Sequence, residues 1–167
     1  MDEFITEFKQ NALYRMDQNT RMVTIALSKI DENDVWKRPN ESSNSIGNQL
    51  LHLCGNITQY GISSLGNLKD KRERDAEFDA REGYTKEQLL DKLIETVEIA
   101  KNTIQEISDS ELQRKRNVQG YYFSGIGIII HVVEHYSYHT GQIAFWVKQL
   151  TDGGLGFYDG VDLNVTN

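Results

Sequence analysis

The sequence predicts an all-α fold, an up-down four-helix bundle forming one domain over residues 1–167. Three observations predict it. Pro39 is the one proline in 167 residues, and a proline ring inside a helix removes a hydrogen bond and clashes, so its rarity favours long helices over a sandwich of short strands. Four stretches repeat apolar residues at helical spacing. The connections between them are modest, as bundles require, and the length suffices for a real core.

The first helix is expected over about residues 2–29, from Asp2 to Lys29, where Phe4, Phe8, Ala12, Tyr14, Met22, Ile25 and Leu27 recur roughly at helical spacing. A loop over 31–44 follows, rich in Asp, Asn and Ser, with Trp36 expected to plug the bundle end. Ser45 is a good N-cap for a second helix reaching about Leu68. A charged, loosely patterned stretch then leads to Gly83. The third helix has the clearest start: Thr85 and Gln88 form a capping box, and Tyr84 and Leu89 stand where a hydrophobic staple belongs. It carries Leu89, Leu90, Leu93, Ile94, Val97, Ile104 and Ile107 and ends in the Ser/Asp cluster 108–110. Residues 111–122 read as an irregular connection. The fourth helix runs from near Ser124 to about Leu150, with Gly153 and Gly154 expected to stop it. The tail 155–167, with Phe157 and Tyr158, shows no period, and the chain holds no internal repeat or low-complexity tract.

Composition narrows the function classes. The formal net charge is −7, whereas nucleic-acid binding usually needs a basic stripe. The one basic-looking run, residues 69–75, is neutralised by its own acids. Neither a nucleic-acid partner nor attraction to anionic lipid is expected. Cys54 is the single cysteine, which excludes an internal disulfide and suits a reducing cytoplasm. The acidic start Met1-Asp2-Glu3-Phe4 lacks the pattern of a signal peptide. The longest apolar run, residues 126–133, is interrupted by Gly127 and His131 and falls far short of the roughly 20 residues that span a bilayer.

The four histidines are His52, His131, His135 and His139. An i, i+4 pair sets two imidazoles about 6 Å apart on one helix face, which suits two nitrogen ligands at about 2.0–2.1 Å from one zinc-like ion. At about 100° per residue, His135 and His139 share a narrow arc with Ile128, Val132, Gln142, Ile143 and Trp146, while His131 falls on its flank. Burying two histidines without partners is costly, so metal binding competes on even terms with two hydrogen-bonded core histidines. His52, the one histidine outside that helix, is the natural third ligand. Its wheel position leaves two readings open. It lies with Ser45, Asn48, Gln49, Asn56, Gln59 and Ser63, off the apolar face of Ile46, Leu50, Leu53 and Ile57. That stripe is either solvated or the polar wall of a cleft. His131-x-x-Glu134-His135 also matches the inverted zinc-peptidase pattern, with Glu134 as base, but the wheel puts Glu134 well away from the His135/His139 stripe. No phosphate loop, nucleophile elbow or nucleotide fingerprint occurs.

Three segments carry a family resemblance: residues 36–48, His52-Leu53-Cys54-Gly55-Asn56, and the stretch 134–143 with Glu134, His135, Tyr138, His139, Gly141, Gln142 and Ile143, the most specific of the three. The sequence resembles the DinB-like (DinB/YfiT) superfamily of metal-dependent four-helix-bundle proteins, in a branch also marked by Arg72, Glu77 and Phe78. The resemblance implies metal ligation by one histidine on the second helix and two, spaced by four, on the last: His52, His135 and His139. It also implies thiol-dependent transfer with mycothiol, bacillithiol or glutathione, and a homodimer; DNA polymerisation is not implied.

Three neutral imidazoles leave a fourth position for water or substrate, as catalytic sites do. All-nitrogen ligation suits zinc or nickel. The resulting expectation is a divalent metal-dependent thiol S-transferase acting on small electrophiles, with a small-molecule substrate. A non-enzymatic metal-binding dimer and a small metal-dependent hydrolase are the alternatives. Asn48, Gln142 and Tyr138 are candidate neighbours of the site, and Glu134 and His131 candidate outer groups. No general base stands out, and Cys54 is expected to be structural because it points with the apolar residues.

Overall fold

Four long helices carry the core of the protein, whose computed structural model describes residues 3–166. They are α1 (Glu3–Leu27), α2 (Ile46–Ile57), α4 (Lys86–Glu106) and α6 (Gly125–Thr151). Two short helices, α3 (Arg74–Asp79) and α5 (Asp109–Gln113), lie between them, as do strands β1 (Lys115–Val118) and β2 (Tyr121–Ser124). α1 packs on α4 and α6, and α2 packs on the same two. Met16, Leu50, Leu53, Leu93, Ile104, Val132 and Tyr136 from these helices are fully buried together. Each large aliphatic side chain so buried contributes about 1.5–3 kcal/mol.

Asp2, the expected start of α1, lies outside the described residues. At its other end the helix stops at Leu27. The amides of Lys29 and Ile30 turn back to carbonyls only three residues earlier, Ala26 at 3.1 Å and Leu27 at 3.4 Å, which tightens the last turn. The buried stripe is Ala12, Met16, Asn19, Val23, Ala26 and Leu27, and Phe4 and Tyr14 of the expected apolar series face solvent.

Ser45 caps α2. Its hydroxyl accepts the Asn48 amide at 3.1 Å, and Asn48 Oδ1 accepts the Ser45 amide at 3.2 Å. Such a reciprocal cap is worth about 1 kcal/mol. The helix continues beyond Ile57 as a wider π-helical turn, Thr58–Ser64, close to the expected end. The Thr85–Gln88 box opens α4 as expected. Trp36 is half-buried; a Cβ on Gly47 would come within 2.7 Å of its ring, so the glycine makes its seat at the start of α2.

The expectation of an all-α chain needs a correction. Residues 111–122 are not irregular: they hold most of a β-hairpin, with Lys115 opposite Ser124 and Val118 opposite Tyr121. Gln119 (φ 52°) and Gly120 (φ 83°) both take the left-handed conformation that a two-residue hairpin turn requires. Buried Arg116 ties the hairpin down by donating to the Ser64 carbonyl at 2.9 Å and to the Glu111 carbonyl, which satisfies acceptors left open at a helix end. Four-residue strands are too short for alternation to be read against helical periodicity. At the end of α6 the left-handed residue is Asp152 (φ 49°), not the glycines that follow it; a short polar side chain tolerates that conformation. Among the described residues, no helix is long and apolar enough to cross a membrane.

Candidate metal centre

The polar stripe of α2 is a buried wall, not a solvated face. Ser45, Asn48, Gln49, His52, Asn56 and Ser63 are all buried. Asn48 explains part of this. Its side-chain amide donates to the carbonyls of Glu77 at 2.9 Å and Ala80 at 2.8 Å, and so pins the short helix α3 against α2. Arg38 donates to Asn48 Oδ1 at 3.0 Å and to the Phe78 carbonyl at 2.8 Å. Six residues of helix are too few to persist without such tethers.

So held, α3 directs Glu77 at His52. Glu77 Oε2 lies 3.0 Å from His52 Nδ1. Arg72 grips the same carboxylate at both oxygens, Nε to Oε1 at 2.7 Å and Nη2 to Oε2 at 2.8 Å, and donates from Nη1 to Gln59 at 2.9 Å. Burial by itself would raise the Glu77 carboxyl, but the Arg72 hydrogen bonds and the His52 contact hold it below the usual carboxylate range. Gly55 makes room: a Cβ there would fall 1.8 Å from Glu77 Oε1. A carboxylate can only accept and Arg72 can only donate. Arg72 Nη2 also lies 3.1 Å from His52 Nδ1, but it is closer to Glu77 Oε2, at 2.8 Å, and donates there. With Glu77 as the acceptor, the His52 proton sits on Nδ1 and the lone pair of Nε2 faces α6.

From α6, His135 and His139 meet that lone pair. The three ring centroids lie 4.6–5.0 Å apart. His52 Nε2 and His135 Nε2 are separated by 3.2 Å, and two nitrogens at 2.0–2.1 Å from one tetrahedral ion would be about 3.3 Å apart. One ligand nitrogen from each of the three histidines lies within 4.8 Å of the others. The Nδ1 atoms of His135 and His139 are buried without a hydrogen-bond partner. Burial, reinforced by the neighbouring rings, pushes His135 down to about 3 and His139 down to about 4. Both are neutral imidazoles with lone pairs available near pH 7. The donor set fits a divalent ion: these three residues could hold one.

A family described as "Protein of unknown function (DUF1572)" matches residues 3–156. The chain belongs to this family. Its fold is DinB-like. It is similar to the crystal structure of a DinB-like protein, YjoA, from Bacillus subtilis, at 14% identity, TM-score 0.64, over 84% of this chain and 91% of that one. A DinB-like protein from Bacillus cereus superposes with TM-score 0.67 at 17% identity, over 86% and 90% of the two chains. A conserved protein from Enterococcus faecalis gives TM-score 0.67 at 14% identity, over 87% and 97%. No curated protein matches the chain.

The remaining predicted residues separate cleanly in this DUF1572 protein. His131 stays out of the group: it packs at a tilt on Tyr60 at 4.1 Å between ring centroids, and its Nε2 lies 3.3 Å from Asn56 Nδ2. Glu134 is exposed in a groove with Phe8 and Arg15, so the inverted peptidase pattern has no base at the site. Tyr138 packs edge-on against His139 at 5.1 Å, and a Gln142 hydrogen bond opposes the lowering of the His139 pKa. Asn48 acts at one remove, through α3. Cys54 is buried, and burial pushes its thiol up to about 11, in keeping with a structural role. The buried stripe of α6 centres on Val132, Tyr136 and Ile143, with His135 at its half-buried edge and not at its middle. Tyr136 was not expected in that stripe; it enters because its hydroxyl is satisfied by Thr20 at 2.9 Å. The roles of Glu77 and Arg72 could not be read from spacing. The signal was their standing out as marks of the branch within an otherwise patternless charged stretch.

Proposed function

We propose that the protein is a metal-dependent enzyme in which His52, His135 and His139 ligate one zinc or nickel ion and a low-molecular-weight thiol is transferred to a small electrophile. The observation that carries this reading is the 3.2 Å approach of two ring nitrogens from separate helices, beside a cavity of about 630 Å³ that both rings line. A structural ion is usually closed off by four protein ligands, whereas a catalytic ion keeps a position open toward such a space. Among the described residues, the group that could hold an ion is these three histidines and no fourth. An ion there would supply Lewis-acid chemistry, acidifying a thiol or water in its remaining position.

The chain's own residues supply orientation and charge. Glu77 holds the His52 proton on Nδ1, and Arg72 balances the charge of Glu77. Phe78, with its ring centroid 4.8 Å from that of His52, covers the imidazole. The same reading takes the four long helices as an up-and-down bundle forming one domain, working in the cytoplasm as a homodimer. The thiol is glutathione, bacillithiol or mycothiol.

The test is metal analysis of the purified protein, followed by conjugation of a fluorogenic haloalkyl probe with each thiol in turn. About one zinc or nickel per chain is expected, with product formed from one thiol and abolished by a chelator. Metal without turnover would replace the enzyme by a metal-binding protein, and absence of metal would remove both.

A further inference from the structure

The cavity beside the histidines has two unlike walls. One is a run of stacked rings. Tyr60 packs at a 30° tilt on His131, His131 faces Phe123 at 6.3 Å and 20°, and Phe123 faces Tyr121 at 5.8 Å and 22°. The hairpin that contributes Phe123 and Tyr121 is tied to this wall by the Tyr60 hydroxyl, which donates to Gln119 at 3.0 Å. The other wall carries two guanidinium groups, Arg72 and Arg74. Their situations differ. Arg72 is consumed by Glu77 and Gln59. Arg74 is exposed and lies over the Phe78 ring at 4.7 Å; among the described residues it forms no ion pair. None of the residues lining the cavity is Asp or Glu, although the chain carries 25 acids against 18 Lys and Arg.

We infer that this cavity takes a small substrate with a flat, apolar body and a carboxylate, the carboxylate on Arg74 and the body against Phe123 and Tyr121. A guanidinium with no protein acid presents a planar fork matched to a carboxylate. Resting on Phe78 limits the freedom it must lose on binding. The stacked rings offer a face to a planar group. The absence of acids removes the repulsion that a −7 protein would otherwise present to an anion. The inference gives the proposed enzyme its substrate class and so rests on that reading for its meaning. The Arg74 contact itself needs no ion.

The test is therefore run on metal-stripped protein as well as loaded protein. Binding of 2-naphthoate and of its neutral counterpart 2-naphthamide is measured by calorimetry for the parent chain, Arg74→Gln and Tyr121→Ala. Naphthoate should bind metal-stripped protein more tightly than naphthamide. Arg74→Gln should weaken naphthoate about tenfold, the effect of one charge-assisted hydrogen bond discounted for exposure, and leave naphthamide unchanged. Tyr121→Ala should weaken both. Raising salt should weaken only the acid. Equal binding of acid and amide, naphthoate binding unaffected by Arg74→Gln, or no binding of naphthoate at millimolar concentration would each overturn the inference. Arg74-dependent binding by a chain that takes up no metal would leave it standing while removing the proposed activity.

Discussion

The two sides of the histidine group are built differently. On the α2 side, His52 has both ring nitrogens assigned: Nδ1 is held by Glu77, Glu77 is held by Arg72, and Nε2 is left facing α6. On the α6 side, His135 and His139 carry buried Nδ1 atoms with no partner, and what positions them is the helix itself, which sets them one turn apart. The first side is ordered by charge and hydrogen bonds, the second by backbone geometry and burial. One imidazole is thus oriented in advance, and the other two are kept neutral and close to it. A ligand set made this way could hold one ion between the two sides.

That contrast can be broken most severely on the α6 side. His135→Ala or His139→Ala should each remove essentially all bound metal, because two nitrogens cannot hold what three do, whereas His131→Ala should spare it; atomic absorption on the purified variants distinguishes these. Loss of metal in His131→Ala alone would revive the pairing of His131 with His135. On the α2 side the effect should be graded. Glu77→Gln keeps the shape but loses the charge and replaces one of the two oxygens shared by Arg72 and His52 with a donor, and a change of this kind lowers metal affinity about 10–100-fold, measurable by competition with a chromogenic chelator.

The smallest effect is on the acid stability of the metal-free protein, and it separates the two sides by pH. His135 and His139 are pushed down to about 3 and about 4, while an unfolded histidine titrates near 6.5. Below that pH the unfolded chain takes up protons that the folded chain refuses, so stability falls as pH drops from about 6.5 toward the folded values. Glu77 is held below the ordinary glutamate value of 4.5, so its contribution is intact at neutral pH and is lost only as pH falls below that value. Urea midpoints across this range should show an upper stage that weakens in His139→Gln and a lower stage that weakens in Glu77→Gln. A single stage insensitive to either would dissolve the distinction.

Much of this was legible in the sequence, for identifiable reasons. The Ser45 and Thr85 caps are local hydrogen-bonding patterns that close within four residues, so reading them needs no partner element. The His135–His139 pair follows from helical pitch alone. By contrast, the wheel sets His135 within the apolar arc, whereas Tyr136 holds the middle of the buried stripe and His135 its half-buried edge. A wheel built on hydrophobicity cannot see that Thr20, 116 residues away, satisfies the tyrosine hydroxyl. The Lys115–Ser124 hairpin was hidden because its strands are too short to show a period.

By itself, then, the sequence determined the four long helices, two of their caps and the pair of histidines one turn apart on α6, all consequences of chain periodicity and short-range bonding. Only the tertiary structure decided which face of α2 carries His52 inward, that α3 exists, and that Glu77 and Arg72 stand behind that imidazole. Those facts depend on contacts between groups from 5 to 83 residues apart in the chain, and the energy of such contacts is realised only when the helices have packed.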